Sequence, residues 1–354
     1  MQITKRYWIH VGNRCNLKCK FCYYQDSLHQ ENNKTTTEIK KELRFIKYFW
    51  RKNRVDFTGG EPTIRSDLPD LIKYARKIGF KQVGIITNGL LLSNENYFKK
   101  LIEAGLDDVL FSIESPSAEK HDALTCVKGS FSKLINGIEN AKKLNLGFRI
   151  NITITKQNYK DLPELARFLL KFKPKVVNII SFNPVEDAEF HSEDMMASFS
   201  EVAPYIKQTI NILKDHTKQI NVRYIPFCFM KGYEKYICNK YQQKYDTYEA
   251  DLILREWLWV GPFLTVYHIL KGIIRLSLKQ LLTQSLYSSF YDGILKSYQK
   301  FHRKSQECKK CNCNNICLGL TQKYAEVYGV KELKALSGKI TLNPLEFRKN
   351  IKYP

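Results

Sequence analysis

Three cysteines near the start of the chain, Cys15, Cys19 and Cys22, have a C-x3-C-x2-C spacing. Three thiolates on one short loop can bind three irons of a cubane iron–sulfur cluster, which leaves the fourth iron without a protein ligand from this loop. Such an open iron is a coordination site for a reactant, in contrast to the closed four-cysteine pattern of an electron carrier. Closed zinc sites usually pair two C-x2-C units, which this loop does not offer. The spacing therefore indicates an iron–sulfur cluster with one open position.

A second motif, Gly59-Gly60-Glu61-Pro62, follows the apolar segment Val55–Thr58. The two glycines remove side-chain bulk where the backbone must approach a ligand, and Glu61 adds a carboxylate beside them. A plain Gly-Gly turn is the alternative for this motif taken alone. The cysteine loop one β–α unit upstream favours a functional site.

The elements that must position these motifs alternate between strand-like and helix-like patterns from residue 7 to about 215. Such alternation is typical of parallel β–α–β units, and it gives six of them, which is fewer than the eight of a closed barrel. The pattern alone does not separate a partial barrel from a doubly wound sheet. The predicted strands cover 7–11, 55–58, 82–87, 108–113, 148–155 and 176–181, and the predicted helices cover 36–51, 67–78, 94–104, 131–144 and 161–172.

Parallel α/β folds place their sites at the carboxyl ends of the strands, so polar residues at predicted strand ends are further candidates. Asn88 ends the third strand and can both donate and accept, which suits a carboxylate or a ribose, although Asn-Gly also forms ordinary turns. Glu114, after the fourth strand, could hold a hydroxyl or an amine. Asn151 and Thr153 alternate along the fifth strand and are expected to point inward together.

The last part of the chain carries a second group of cysteines. Cys308, Cys311 and Cys317 have a C-x2-C-x5-C spacing, and Cys228, Cys238 or Cys313 could supply a fourth ligand. We favour Cys228, because the segment 222–228 is predicted as a strand that ends in this cysteine. Four cysteines can bind zinc as well as an iron cluster, so zinc is the alternative. We predict a boundary near residue 218, with a core over 1–218 and a cysteine-containing extension over 219–354.

The cysteine loop, with Phe21 before its last cysteine, resembles the signature of the radical S-adenosylmethionine (radical SAM) superfamily. This resemblance implies a partial (β/α)6 barrel related to the TIM barrel, with an open-site 4Fe-4S cluster and S-adenosylmethionine. It implies that Gly59, Gly60, Glu61 and Pro62 bind the amino group of that cofactor. It further implies cofactor contacts near the ends of strands three to six, from Asn88, Ser112, Glu114, Asn151 and Asn183.

The C-terminal cysteines, with Gly319 after them, resemble the auxiliary-cluster module called SPASM or its shorter relative, the twitch domain. The full SPASM pattern has a further cysteine where this chain has Thr321. We therefore expect one auxiliary 4Fe-4S cluster rather than two, bound by Cys308, Cys311, Cys317 and Cys228.

The activity that the resemblance implies is reductive cleavage of S-adenosylmethionine to a 5′-deoxyadenosyl radical, which abstracts hydrogen from a substrate. The SPASM-like cysteines point first to a peptide or protein substrate. The alternatives are a radical SAM oxidoreductase that acts on a small molecule, a lipid or a nucleic acid, and a non-catalytic iron–sulfur or zinc protein. An electron donor such as flavodoxin or ferredoxin is an expected partner.

Composition indicates the kinds of partner and the cellular compartment that suit this chain. The 354 residues carry a net charge of +22, which suits a lysine-rich proteome, an anionic partner such as nucleic acid or an acidic peptide, or an anionic membrane surface. The ten cysteines cluster at ligand spacing, so we expect a reducing cytoplasm rather than a disulfide framework. No segment reaches the length of a membrane span; the uncharged run 257–270 suits a buried or interfacial segment better.

Overall fold

The computed structural model describes residues 4–22, 33–182, 192–251, 266–267, 270 and 286–349. Seven parallel strands form one sheet in sequence order, from β1 to β7. Pairing ends at β1 and β7 in the described part of the chain, so the sheet is a partial barrel, as the resemblance implies. The strands are β1 Arg6–His10, β2 Arg54–Thr58, β3 Gln82–Thr87, β4 Asp108–Ser112, β5 Phe148–Ile154, β6 Val176–Ser181 and β7 Gln219–Arg223.

Helices connect the strands, and their buried apolar residues, such as Ile39 and Leu43 in α1, form the core with one face of the sheet. A capping box at Thr35, with Glu38 as its partner, begins α1. The predicted helix 36–51 is α1 followed by a π-helical turn, Phe45–Phe49. The helices are α1 Thr36–Arg44, α2 Leu68–Lys77, α3 Glu95–Glu103, α4 Ala118–Thr125, α5 Ser130–Lys143, α6 Leu162–Leu170, α7 Ser192–Met195 and α8 Phe199–Leu213.

The two faces of the sheet differ in polarity because successive strand residues point to opposite sides. One face is apolar and fully buried; Phe57, Phe111 and Ile179 are examples with no exposed surface. The opposite face carries polar and charged side chains along every strand from β4 to β7. Covering the apolar face with helices leaves the polar face for the inside of the barrel.

Four charged side chains fill this interior near the amino ends of the strands. Arg6 and Arg149 pair with Asp56 and Asp108, and none of the four side chains is exposed. Nη2 of Arg149 lies 2.9 Å from Asp56 and 2.8 Å from Asp108. These two positive and two negative charges compensate each other. The partly exposed Lys175 also reaches Asp108, at 3.3 Å.

The structure corrects the sequence analysis in the region that follows β6. The sheet has a seventh strand, β7, which pairs in parallel with β6. The predicted strand 222–228 is wrong beyond Arg223: Tyr224 has a φ of +62°, and Pro226 begins a turn. Cys228 therefore lies in the 3-10 helix Phe227–Met230 and does not end a strand.

The chain divides into two compact units, one over Arg6–Arg223 and one made of Met1–Lys5 with Tyr224–Pro354. The second unit has short elements, and its two small strands pair antiparallel. The helices and strands of this unit are α9 Lys240–Gln243, α10 Leu286–Tyr298, β8 His302–Arg303, β9 Leu320–Thr321 and α11 Gln322–Tyr328.

Among the described residues, no helix has the length and apolar character needed to cross a bilayer. Asn183 and most of the run 257–270 lie outside the described residues.

Candidate functional site

The cysteine loop leaves β1 and is held against the end of β2 by three backbone hydrogen bonds. Val11 N–H donates to the carbonyl of Thr58 at 2.8 Å. The N–H groups of Gly60 and Glu61 donate to the carbonyls of Gly12 and Arg14, both at 2.8 Å. The cysteine loop and the Gly59–Pro62 motif are therefore one bonded structure at the carboxyl ends of β1 and β2.

The other side of the loop is attached to the end of α4. Lys18 N–H donates to the carbonyl of Thr125 at 3.1 Å, and Lys20 N–H donates to that of Leu124 at 2.9 Å. Within the loop, Cys22 N–H donates to the Cys19 carbonyl at 3.1 Å. Main-chain hydrogen bonds on both sides of the cysteine loop thus fix its backbone.

The two glycines are explained by this close approach of two backbones. A Cβ on Gly60 would lie 2.1 Å from the Arg14 carbonyl oxygen and 2.4 Å from that of Asn13. Gly59 has a φ of +132°, and a Cβ there would lie 2.4 Å from the Gly12 oxygen. The sequence analysis assigned the missing bulk to ligand approach, whereas the structure shows the cysteine loop in that space.

Glu61 is buried, with 2% of its surface exposed, and its carboxylate accepts hydrogen bonds from neighbouring strands. Thr63 N–H and the Thr87 hydroxyl donate to Oε1 at 3.0 and 2.7 Å, and Asn88 N–H donates to Oε2 at 2.7 Å. Burial raises the pKa of Glu61, while these hydrogen bonds act in the opposite direction. The carboxylate joins the end of β2 to the end of β3.

Asn88 continues this network to the cysteine loop. Its Nδ2 donates to Asn16 Oδ1 at 2.7 Å and lies 3.9 Å from Cys15 Sγ. Its Oδ1 accepts from Leu90 N–H at 3.1 Å, which is the turn expected for Asn-Gly. Asn88 thus forms the turn and also lies beside the first cysteine.

A row of polar residues runs across the interior from β4 to β7. Ser112, Asn151, Asn178 and Asn221 are register partners on adjacent strands. Asn178 Nδ2 donates to Asn151 Oδ1 at 2.7 Å, while Asn178 Oδ1 accepts from Asn221 at 2.9 Å and from Arg223 at 3.3 Å. We call these five residues the amide row.

The amide row has a defined direction because a guanidinium can only donate. Arg223 therefore requires the oxygen of Asn178 on its side, and this orients the Asn178 amide group toward Asn151. The oxygen of Asn151 is then used by Asn178. Because Asn151 Oδ1 accepts from Asn178, its Nδ2 is the group that can donate to another partner. Ser112 and Asn151 are half-buried.

Glu114 is buried behind the cysteine loop, with 2% of its surface exposed. Its Oε2 accepts from Thr153 N–H at 2.8 Å. Burial raises the pKa of Glu114 to about 8, and the Thr153 bond only partly offsets this. Its charge acts on Cys19, so the carboxyl lies close to the second cysteine of the loop.

The cysteine loop fits an iron–sulfur cluster in its donor set. All three cysteines are half-buried, and their charges act on one another. Burial raises the pKa of Cys15 to about 11, whereas Leu17 N–H donates to its sulfur at 3.4 Å and favours the thiolate. In the described part of the chain, no three His, Cys, Asp or Glu side chains converge on one metal ion. A cluster does not need such convergence, since each cysteine binds a different iron.

In the second unit, Cys228 lies near three of the other cysteines. Burial raises its pKa to about 12, the Lys334 N–H bond to its sulfur opposes this, and the charges of Cys317, Cys308 and Cys311 raise it further. Leu336 N–H donates to Cys311 Sγ at 3.4 Å.

The two rival cysteines have different surroundings. Cys238 is fully buried, and its thiol donates to Asp246 Oδ2 at 3.5 Å. Cys313 is also fully buried, and burial followed by the charges of Cys311 and Cys317 raises its pKa to about 12.

Most of the predicted site residues lie at one end of the sheet, and Pro62 begins the short 3-10 helix Pro62–Ile64 there. Cys126 is exposed at the end of α4 with a φ of +57°.

Four residues that orient this site were not among those predicted from the sequence. Thr63 and Thr87 orient Glu61, while Asn178 and Arg223 orient Asn151. An asparagine inside the apolar run Val176–Ser181 was the available signal.

Part of this chain is similar in sequence to a known family. Residues 9–169 match the model of the Radical SAM superfamily. Fe-coproporphyrin III synthase of Methanosarcina barkeri is 32% identical over 220 residues, which is 61% of this chain and 52% of that protein. The chain thus spans about half the length of this curated relative.

Two solved structures share the fold at low identity. Streptococcus suis SuiB bound to precursor peptide SuiA has a TM-score of 0.56 and 17% identity, covering 95% of this chain and 76% of SuiB. Native anSMEcpe with bound AdoMet and Cp18Cys peptide has a TM-score of 0.55 and 17% identity, covering 97% of this chain and 92% of the other.

The family match covers the cysteine loop, the Gly59–Pro62 motif and the strand ends from β1 to β5. Residues 9–169 of this chain are therefore similar to the Radical SAM superfamily.

Proposed function

We propose that this chain is a radical SAM enzyme whose open-site 4Fe-4S cluster is bound by Cys15, Cys19 and Cys22. The observation that carries this is the loop itself, which the Gly60 and Glu61 N–H groups hold at the carboxyl ends of β1 and β2. When bound, the cluster and S-adenosylmethionine supply a 5′-deoxyadenosyl radical that abstracts hydrogen from a substrate.

The strand ends around this loop bind S-adenosylmethionine in our proposal. The main chain of Gly59–Pro62 holds its amino group, because the Glu61 carboxylate is already engaged by Thr63, Thr87 and Asn88. Asn88 and Ser112 contribute polar contacts at the ends of β3 and β4. Asn151 donates from the amide row to an acceptor on the cofactor.

Glu114 has a separate role near the second cysteine. With a pKa of about 8, its carboxyl is largely protonated at neutral pH, so it can donate a hydrogen bond. A neutral group beside Cys19 adds no negative charge to a cluster that already carries three thiolates. We propose that Glu114 contacts the cofactor in this protonated form.

The second unit binds one auxiliary 4Fe-4S cluster in our proposal, through Cys228, Cys308, Cys311 and Cys317. These four thiols influence one another and are all half-buried, whereas Cys313, which lies near three of them, is fully buried; the shared exposure supports the set. Backbone N–H bonds to the sulfurs of Cys228 and Cys311 support it further, because such bonds stabilise thiolate ligands. Iron and zinc analysis of the reconstituted protein distinguishes this cluster from a zinc site.

A peptide or protein is the substrate class that we propose. Two proteins with this fold, SuiB and anSMEcpe, were solved with peptides, and the likeness extends over the C-terminal part of this chain. Fe-coproporphyrin III synthase, a relative by sequence, is named for a small-molecule product, so a small molecule is the second candidate. A low-potential donor such as flavodoxin or ferredoxin would supply electrons, and the reduced thiols suit the cytoplasm.

Anaerobic reconstitution followed by a 5′-deoxyadenosine assay tests the proposal. We expect Cys15→Ala, Cys19→Ala and Cys22→Ala each to abolish the product. Cys126→Ala is the matched control, because that thiol is exposed and lies outside the proposed ligand set. Product formation by any of the three loop variants would contradict the assignment.

A further inference from the structure

The end of the barrel opposite the cysteine loop carries a strong positive charge. In a parallel sheet, every connection from a helix back to a strand lies at the amino ends of the strands. Exposed basic residues occur in five of the six connections between β1 and β7 or in the last two helical residues before them. They are Arg51, Lys77, Lys81, Lys142, Lys143, Lys171, Lys173, Lys214 and Lys218. We call this surface the amino-end face.

Few acids offset these charges in the same connections. Glu103 and Asp215 are the exposed ones within residues 45–223 at this end of the sheet. Asp107 is half-buried and pairs with Arg76 at 2.6 Å. Lys143 pairs with Glu95 at 2.6 Å. The amino-end face therefore has about six uncompensated positive charges, and it attracts a polyanion at moderate ionic strength.

Exposed aromatic rings lie on the same face, at the point where α1 and its π-helical turn lead into β2. Phe45, Tyr48 and Phe49 are 41, 64 and 69% exposed. A cluster of large exposed apolar side chains is unusual on a protein surface that has no binding partner. Lys47 lies between Phe45 and Tyr48 in sequence, and Arg51 follows the three rings.

We propose that the amino-end face binds an anionic membrane surface, with Phe45, Tyr48 and Phe49 inserted at the headgroup level. Lysine side chains next to aromatic rings suit the interface of a bilayer with anionic lipids. Binding through this face leaves the cysteine loop, at the other end of the strands, directed away from the lipid.

The details of the face favour lipid over nucleic acid. Nucleic-acid binders stack bases on open ring faces. Here Phe45 and Phe49 stack on each other at 5.0 Å, and Trp50 packs edge-on to Phe49 at 5.5 Å. Only one of the nine exposed basic residues is an arginine, the side chain that grips a phosphate with two hydrogen bonds.

Sedimentation of the full chain with vesicles tests the proposal. We expect binding to vesicles of phosphatidylcholine with phosphatidylglycerol at low salt, and none to phosphatidylcholine alone. Lys171→Glu with Lys173→Glu should weaken binding by at least about 30-fold, since each lysine near an anionic bilayer contributes roughly fivefold. Tyr48→Ser with Phe49→Ser should weaken it by roughly tenfold.

The matched control is Lys128→Glu with Lys133→Glu, which makes the same change in net charge at the other end of the sheet. This variant should bind nearly as well as the wild type. The proposal is overturned by a lack of binding at low salt or by equal losses in both lysine pairs. Displacement of the protein from vesicles by a single-stranded RNA that binds more tightly would also overturn it. Cofactor cleavage is measured separately, so neither result depends on the proposed enzyme activity.

Discussion

Replacing Asp108 with asparagine should destabilise the barrel more than any surface change. The Asp108 carboxylate contacts Arg149 Nη2 at 2.8 Å, Arg6 Nη1 at 3.3 Å and Lys175 Nζ at 3.3 Å. Burial alone would raise the pKa of Asp108, but these three cations hold it below its ordinary value. The carboxylate therefore remains charged at neutral pH.

The magnitude follows from the complete burial of this network. Asparagine has almost the same shape as aspartate but carries no charge. In the variant, Arg6 and Arg149 therefore share a single buried carboxylate, that of Asp56. Removing one partner from a buried ion pair costs about 3–5 kcal/mol, which is a large part of the 5–15 kcal/mol that stabilises a typical domain. We expect Asp108→Asn to lower the free energy of unfolding by about this amount at pH 7.

Urea unfolding of the metal-free protein, followed by circular dichroism under reducing conditions, measures this difference. A further Arg149→Met substitution should restore part of the loss, because it removes one uncompensated charge. Since the pKa of Asp108 is depressed, its contribution is present above the ordinary carboxyl pKa and is lost as the pH falls below it. The variant and the wild type should therefore converge in acid.

Glu95→Gln provides the control, because Glu95 pairs with the exposed Lys143 on the surface and should leave the unfolding midpoint unchanged. A loss below about 1 kcal/mol for Asp108→Asn, or a double variant whose loss equals the sum of the two single losses, would refute the reasoning.

Three further outcomes are expected. Gly60→Ala should lower the iron content after reconstitution, because its Cβ would lie 2.1 Å from a carbonyl of the cysteine loop, while Gly147→Ala meets only a flexible lysine and should retain iron. Asn178→Asp should weaken S-adenosylmethionine binding at least tenfold in an equilibrium assay, with little change in iron content. The carboxylate at position 178 can only accept, so Asn151 must turn its Nδ2 toward it and away from the cofactor. Unchanged affinity would exclude Asn178 as the residue that orients Asn151. His121→Asn should flatten the pH dependence of stability: burial lowers the pKa of His121 to about 4, so the wild type loses roughly 1.4 kcal/mol per pH unit as the pH falls from about 6.5 toward 4, and equal slopes in urea titrations would contradict this.

Much of the barrel could be predicted because its strands are short apolar runs between helix signals. Among the first six strands, Gln82–Thr87 and Val176–Ser181 have the predicted bounds. Three others differ by one residue at one end, and β1 is shifted by one residue at both ends. β7 was placed wrongly because Gln219–Arg223 alternates polar and apolar residues and follows a lysine-rich turn. Only its pairing with β6 shows that its polar residues face the barrel interior.

The site was predicted where a motif is local in sequence and missed where it depends on register. The cysteine spacing and Gly59–Pro62 are continuous segments, so their residue types alone indicated a site. The hydrogen bond from Thr87 to Glu61 joins two strands, and its length depends on how β2 and β3 are aligned. The same holds for Asn178, whose importance comes from its neighbours on β5 and β7.

The amide row gives the barrel interior a polarity that is set from its edge. Arg223 donates to Asn178, as Asn221 does, and these two bonds determine which atom of Asn151 accepts from Asn178 and which is left for other partners. A carboxylate at position 223 would accept where the guanidinium donates, and it would favour the opposite orientation of the Asn178 amide in competition with the hydrogen bond from Asn221. A change at the last residue of β7 could thus convert the position of Asn151 from donor to acceptor, with no new side chain next to the ligand.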